Sequence, residues 1–211
     1  MASAYLKDPA DIYRKSFAII RREVDLSGLN PDEAAIAIRV AHACGMTDVV
    51  DDLVFGGNVA DRARSAVKNG RPVFIDVEMV RAAMRSGALP GNADIRCTLN
   101  HPPTAVRAAE LSTTRSAAAV HAWLPDLEGA VVIIGNAPTA LFALLELMDT
   151  GAPKPAALFA FPVGFVGAAE SKAELAENPR DLDFVTLAGR RGGSAMATAA
   201  FNAVLIGAQD R

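Results

Sequence analysis

"GAVVIIGNAPTALFALL", residues 129–145, carries no charged side chain along its whole length. A membrane-spanning helix needs about 20 largely continuous apolar residues, and Gly-Asn-Ala-Pro at 135–138 would interrupt one. The stretch therefore reads as a buried strand at 130–135, a glycine turn, and a helix over 138–149. The same cadence recurs along the chain. Short strands are expected at 53–55, 72–76, 94–99, 156–161 and 183–189, and helical segments at 58–69, 77–86, 103–123, 168–177 and 193–206. Several of these strands are apolar throughout rather than alternating, as in a parallel sheet covered on both sides. The expected class is α/β: a single-domain, open, mostly parallel sheet with helices on both faces, a Rossmann-like three-layer sandwich. With 211 residues, 51% of them hydrophobic, the chain can build one substantial core, and we expect one domain over 1–211.

Two helices precede the first strand. Residues 9–24, "PADIYRKSFAIIRREV", form an amphipathic pattern with Tyr13, Ser16 and Ile20 along one side. Residues 28–45, "GLNPDEAAIAIRVAHACG", carry helix punctuation at both ends. Asn30 is a good N-cap, Pro31 suits the first position, Asp32 and Glu33 face the positive end of the dipole, and Gly45 closes the helix. His42, one of three histidines, falls in the last turn with Arg39 and Ile38 on its side.

The net charge of −3 argues against a nucleic-acid binder, whose surface is usually basic. Cys44 and Cys97 have no zinc-type spacing, and no basic-then-apolar leader precedes Asp8. A cytoplasmic protein with no metal site and no membrane association is expected.

Ligands of open parallel sheets bind outside the carboxyl ends of the strands. Three glycine-rich turns stand there: "GNAPTAL" at 135–141, "PVGFVGAAESK" at 162–172 and "GRRGGS" at 189–194. Each feeds a helix N-terminus and exposes backbone N–H groups that favour anionic ligand groups. None has dinucleotide or P-loop spacing, so no nucleotide cofactor is expected. Arg14, Arg39, Arg115, Arg190 and Arg191 suggest a ligand with several carboxylates, which arginine binds through its planar fork.

Together with "SFAIIRRE" at 16–23, "RVAHACGM" at 39–46 and "TRSAAA" at 114–119, these turns resemble the precorrin-8X methylmutase (precorrin isomerase) family of cobalamin biosynthesis. The resemblance runs in order over nearly the whole chain. It implies an isomerase that moves a methyl group from C-11 to C-12 of precorrin-8X to give hydrogenobyrinate, by a 1,5-sigmatropic shift with acid–base assistance and no methyl donor or cofactor. It further implies a homodimer with the macrocycle bound near the interface, and handover of product to the next enzyme is a plausible extension. In that family the histidine matching His42 is the catalytic proton donor or acceptor, which the resemblance implies for His42. Ser16, Arg39 and Arg115 match substrate contacts, and we add Tyr13, Gly192 and Gly193 as expected contacts. The residues agree with this: a flat apolar ring edged with carboxylates calls for a hydrophobic slot rimmed by arginines and backbone amides.

Plainer readings stand beside these. His42 could cap the last carbonyls of its helix, and Ser16 could bond the carbonyl of Ile12. Arg39 could pair with Glu33 or Asp32. Arg115, at a helix start, is disfavoured by the dipole unless an anion offsets it. "GRRGGS" could be only a turn needing positive φ. His101, His121 and Cys44 are read as structural. The rival functions are a non-catalytic corrinoid carrier on the same scaffold and a generic α/β enzyme acting on a small anionic metabolite.

Overall fold

A computed structural model describes residues 5–84 and 89–207. The ends of the expected domain, at 1–4 and 208–211, and positions 85–86 of the expected 77–86 helix lie outside the described residues. In chain order the elements begin with helix α1 (Pro9–Glu23), capped by Asp8, and helix α2 (Pro31–Cys44). Asn30 Oδ1 accepts the N–H groups of Asp32 and Glu33, both at 3.0 Å, and the Glu33 carboxylate accepts the Asn30 N–H at 3.0 Å. That reciprocal cap, closed at the other end by Gly45 at φ 70°, is the punctuation read from the sequence.

A short 3-10 turn (Asp48–Asp52) leads into β1 (Leu53–Gly56), α3 (Val59–Lys68), β2 (Val73–Ile75), α4 (Glu78–Ala83) and β3 (Ile95–Arg96). Then follow α5 (Pro102–Glu110), α6 (Arg115–His121), β4 (Val131–Ile134), α7 (Pro138–Asp149), β5 (Ala157–Ala160), α8 (Ala168–Glu177), β6 (Phe184–Leu187) and α9 (Ser194–Ile206). The expected helix over 103–123 is two helices. The chain breaks at Ser112, φ 50°, and Thr114 starts a new helix by accepting the Ala117 N–H at 3.1 Å. Neighbouring serine and threonine side chains compete for backbone groups, which favours caps over helix interiors. The expected strand 94–99 shortens to Ile95–Arg96, because the Thr98 carbonyl accepts the Thr104 hydroxyl and the Thr98 hydroxyl donates to Ala119 O.

The six strands form one sheet in the order β1-β6-β5-β4-β2-β3, parallel except for the β1–β6 pair. From β2 the chain winds outward to β3, then returns to β4 on the other side of β2, so the switch point lies between β2 and β4. Val131, Ile133, Phe159 and Val185 face a core shared with α2, α3 and α9, while Val132, Ile134, Leu158 and Phe184 face α6, α7 and α8. Both faces are covered, which is why the strands are apolar throughout. No helix among the described residues is long and apolar enough to cross a membrane.

Strand β1 places the candidate site. It runs antiparallel, so Leu53 pairs with Leu187 and Gly56 with Phe184. The chain therefore joins the sheet at the carboxyl edge of the parallel strands, where Ala188 N–H donates to Asp52 O at 2.8 Å. The C-terminal end of α2, a few residues earlier, is brought to the same edge.

Candidate active site

His42 sits half-buried in the last turn of α2 and is held from α1. Ser16 Oγ lies 2.8 Å from His42 Nδ1, so the serine hydroxyl bonds the imidazole and not the carbonyl of Ile12. Tyr13 lies 5.2 Å from the ring at a 37° tilt, and Phe17 meets it edge-on at 5.3 Å. Positions 13, 16 and 17 share one face of a helix by the i, i+3, i+4 rule, so one turn of α1 supplies all three contacts. With Nδ1 engaged, Nε2 is the nitrogen left for a ligand in either tautomer.

Burial pushes the His42 pKa below its ordinary value, and the Arg39 guanidinium pushes in the same direction. Both effects favour the neutral ring in the ligand-free protein, against a helix C-terminus, which by itself would favour the imidazolium. Arg39 lies over the Phe17 ring at 5.4 Å. Asp32 pairs with Arg64, and the Glu33 carboxylate accepts the Asn30 N–H in the helix cap.

The glycine turns differ sharply from one another. Asp76, at the end of β2, is 1% exposed and accepts the N–H groups of Gly135 at 2.8 Å, Asn136 at 3.0 Å and Ala137 at 2.9 Å. The "GNAPTAL" turn, expected to offer its N–H groups to an anion, already holds an internal one. Burial outweighs the three N–H donors and leaves the Asp76 carboxyl above its ordinary value. Sequence reading missed this residue; its one cue was an aspartate ending an apolar strand beside the switch point.

The other two turns lie against each other. Gly193 N–H donates to Phe161 O at 2.8 Å, and Gly164 N–H donates to Arg190 O at 3.2 Å. A Cβ on Gly192 would lie 2.5 Å from Phe161 O, so only glycine fits there. The N–H of Gly193 is thus already used, whereas Gly192 N–H bonds no acceptor among the described residues. Arg191, expected as a ligand contact, is instead held by Asp48 at 2.7 Å and Asp52 at 2.5 Å. Arg14 pairs with Asp11 on the outer side of α1. Arg190 lies 5.5 Å over the ring of Phe165, which is 83% exposed. Arg115 is exposed at the start of α6, beside α7, since Thr114 Oγ1 and Thr139 Oγ1 share a hydrogen bond at 2.8 Å.

Lys172, quoted within a motif but given no role, is 1% exposed and donates from Nζ to Arg191 O. Burial lowers its pKa to about 8, opposed by Asp52. Among the described residues no hydrogen bond joins Arg115, Gly192 or Gly193 to His42 itself. The link is indirect: Arg191 reaches Met46 and Asp48, just after the helix that carries His42.

Fold and site together define a doubly wound α/β enzyme with an oriented imidazole at the carboxyl edge of its sheet. The sequence model of the precorrin-8X methylmutase family matches residues 11–206, and the chain belongs to that family. It is accordingly a methyl-shifting isomerase of cobalamin biosynthesis. Its relatives include the precorrin-8X methylmutases of Pseudomonas aeruginosa, 52% identical over 95% of this chain and 96% of that one, and of a Sinorhizobium species, 50% identical over 95% of each. The cobalt-precorrin-8 methylmutase of Priestia megaterium is 32% identical over 94% of this chain and 88% of that one. The crystal structure of the Thermus thermophilus precorrin-8x methyl mutase superposes with a TM-score of 0.83 at 31% identity, over 95% of this chain and 97% of that one.

Proposed function

We propose that this chain, as one domain over 1–211, converts precorrin-8X to hydrogenobyrinate by moving the methyl group on C-11 to C-12, with His42 as the proton-transfer group. The observation that carries this reading is the Ser16–His42 hydrogen bond, which fixes the ring and leaves Nε2 toward a ligand. The metal-free substrate is favoured because relatives at 52% and 50% identity bear the precorrin-8X name, against 32% for the Priestia cobalt-precorrin-8 enzyme.

The C-11 methyl bond breaks as the C-12 bond forms, while the ring's double bonds shift in the same step. No electrons, methyl donor or cofactor enter. Burial and Arg39 lower the proton affinity of His42 before the substrate arrives; the incoming carboxylates raise it, so the ring takes up a proton and lends it to the conjugated system. The proton returns at the end, so nothing is consumed. A positioned acid supplies about 10²–10⁴-fold, and the remaining acceleration comes from holding the ring in one geometry. Arg39 and Arg115 meet substrate carboxylates, Tyr13 lies against the ring, Gly192 donates its N–H, and Gly193 permits close approach of the backbone.

Exposed Ile12, Tyr13 and Ile19 on α1 support a homodimer that places the site near the interface. Handover of the product to the next enzyme would fit a surface-edge site. The unpaired cysteines support action in the cytoplasm.

The test is a visible-spectrum assay of precorrin-8X with the wild type and His42→Ala. The wild type is expected to convert it, while the variant binds pigment but turns over about 10²–10⁴-fold more slowly. Binding without conversion by the wild type would overturn this reading in favour of a cobalt-bearing substrate or a carrier. Wild-type turnover by His42→Ala would remove the role given to His42.

A further inference from the structure

Lys172, on α8, is buried to 1% exposure, and nothing in the chemistry given to His42 uses it. A Met or Leu would fill the same space without the cost of desolvating a charge. What the ammonium does is hold one peptide unit: Nζ donates to the carbonyl of Arg191. The carbonyl and N–H of a trans peptide point in opposite directions, and no described peptide bond is cis. With Arg191 C=O turned inward onto Lys172, the Gly192 N–H of the same unit faces away from the ammonium. The flanking groups are fixed as well. Arg190 O accepts Gly164 N–H, Gly193 N–H donates to Phe161 O, and the Arg191 guanidinium is clamped between Asp48 and Asp52. Arg191 pairs with Asp48 and Asp52, and Asp52 also favours the charged form of Lys172 against the cost of its burial.

We propose that Lys172 is a positioning residue for the methylmutase: it orients the Arg191–Gly192 peptide so that the Gly192 N–H donates to a carboxylate of the substrate. This rests on the reading of Gly192 as a substrate contact. Without the ammonium, the Arg191 carbonyl loses its donor, and the peptide is free to turn its oxygen outward, where it would repel the same carboxylate. The loss falls on binding and leaves the chemical step intact, because the contact is made equally in ground and transition states.

The test measures precorrin-8X turnover by the wild type, Lys172→Met and Lys172→Arg, with folding checked by circular dichroism. Lys172→Met is expected to raise KM by about tenfold or more, the scale of a lost hydrogen bond to a charged group, with kcat nearly unchanged. Lys172→Arg, which can still donate to the carbonyl, is expected to bring KM back toward the wild-type value. A folded Lys172→Met enzyme with wild-type KM overturns the proposal, as does a folded Lys172→Arg enzyme equally impaired. A wild type that does not convert precorrin-8X at all would instead overturn the parent reading, so the two failures are distinct. Should Lys172→Met not fold, 15N-labelled wild type titrated with hydrogenobyrinate decides: the Gly192 amide signal moves if the proposal holds, and a stationary signal sinks it.

Discussion

The turn after β4 and the turn after β6 look alike in sequence: glycine-rich, following an apolar strand, leading into a helix. The structure makes them opposites. The β4 turn is closed, its three N–H groups held by the buried carboxylate of Asp76. The β6 turn leads into α9 through Gly193, whose cap has no side-chain acceptor, and it is braced from behind by Lys172 and Arg191. A glycine turn at the carboxyl edge is therefore a binding element only if no distant residue already fills it. What decides is the side chain on a neighbouring strand or helix, not the turn's own composition.

This contrast predicts that substitutions in the first turn act on stability and those in the second on ligand binding. Asp76→Ala strips the acceptor from three N–H groups, two of them on buried residues, and is expected to cost about 3 kcal/mol or more in denaturant unfolding, with Asp76→Asn costing less. An Asp76→Ala protein that unfolds like the wild type but binds substrate poorly would erase the distinction. Gly192→Ala drives a methyl group into Phe161 O and Pro162 O; we expect a loss of about 1–3 kcal/mol, measured in the same way, together with a raised KM. If KM stayed at its wild-type value, the open turn would not touch the ligand.

Ser16→Ala removes the hydrogen bond that orients His42. It should lower kcat about fivefold, near the worth of one neutral hydrogen bond of about 1 kcal/mol, and leave the melting temperature almost unmoved. An unchanged kcat would mean that Tyr13 and Phe17 alone hold the ring. The smallest effect is expected from Arg39→Met, read as the His42 titration by NMR. Burial, the larger cause of the lowered pKa, remains, but the like-charge contribution goes, so the pKa moves up toward its ordinary value. The sign for stability follows. With the folded pKa below the unfolded one, the wild type loses stability as pH falls through about 6.5 and below, and the variant loses less over that window. A downward shift would show that Arg39 does not act on His42 through its charge.

Much of this was legible in the chain. Helix α2 could be placed from Asn30, Pro31 and Gly45, because caps depend on residues within one turn of the helix end. The buried strands could be placed because two covered faces leave no polar alternation. His42 and Ser16 could be singled out as candidates, but not paired. Their contact depends on how α1 crosses α2, which no local pattern encodes. The single helix expected at 103–123 failed at Ser112, where the backbone turns to φ 50°, and at Thr114, whose side chain caps a new helix by accepting the Ala117 N–H. Arg191 looked like a free cation because Asp48 and Asp52 stand far from it in sequence.

The sequence by itself determined the α/β class, the helix caps, the apolar strands, the glycine turns and the place of His42 in the last turn of α2, because these follow from periodicity and from hydrogen bonds between near neighbours. Tertiary structure alone decided that β1 runs antiparallel and so delivers His42 to the carboxyl edge, that Asp76 closes one turn, and that Lys172 sets the direction of a peptide in the other. A backbone donor or a buried charge takes whichever partner the packed elements bring within about 3 Å, and that choice is made between groups the chain keeps far apart.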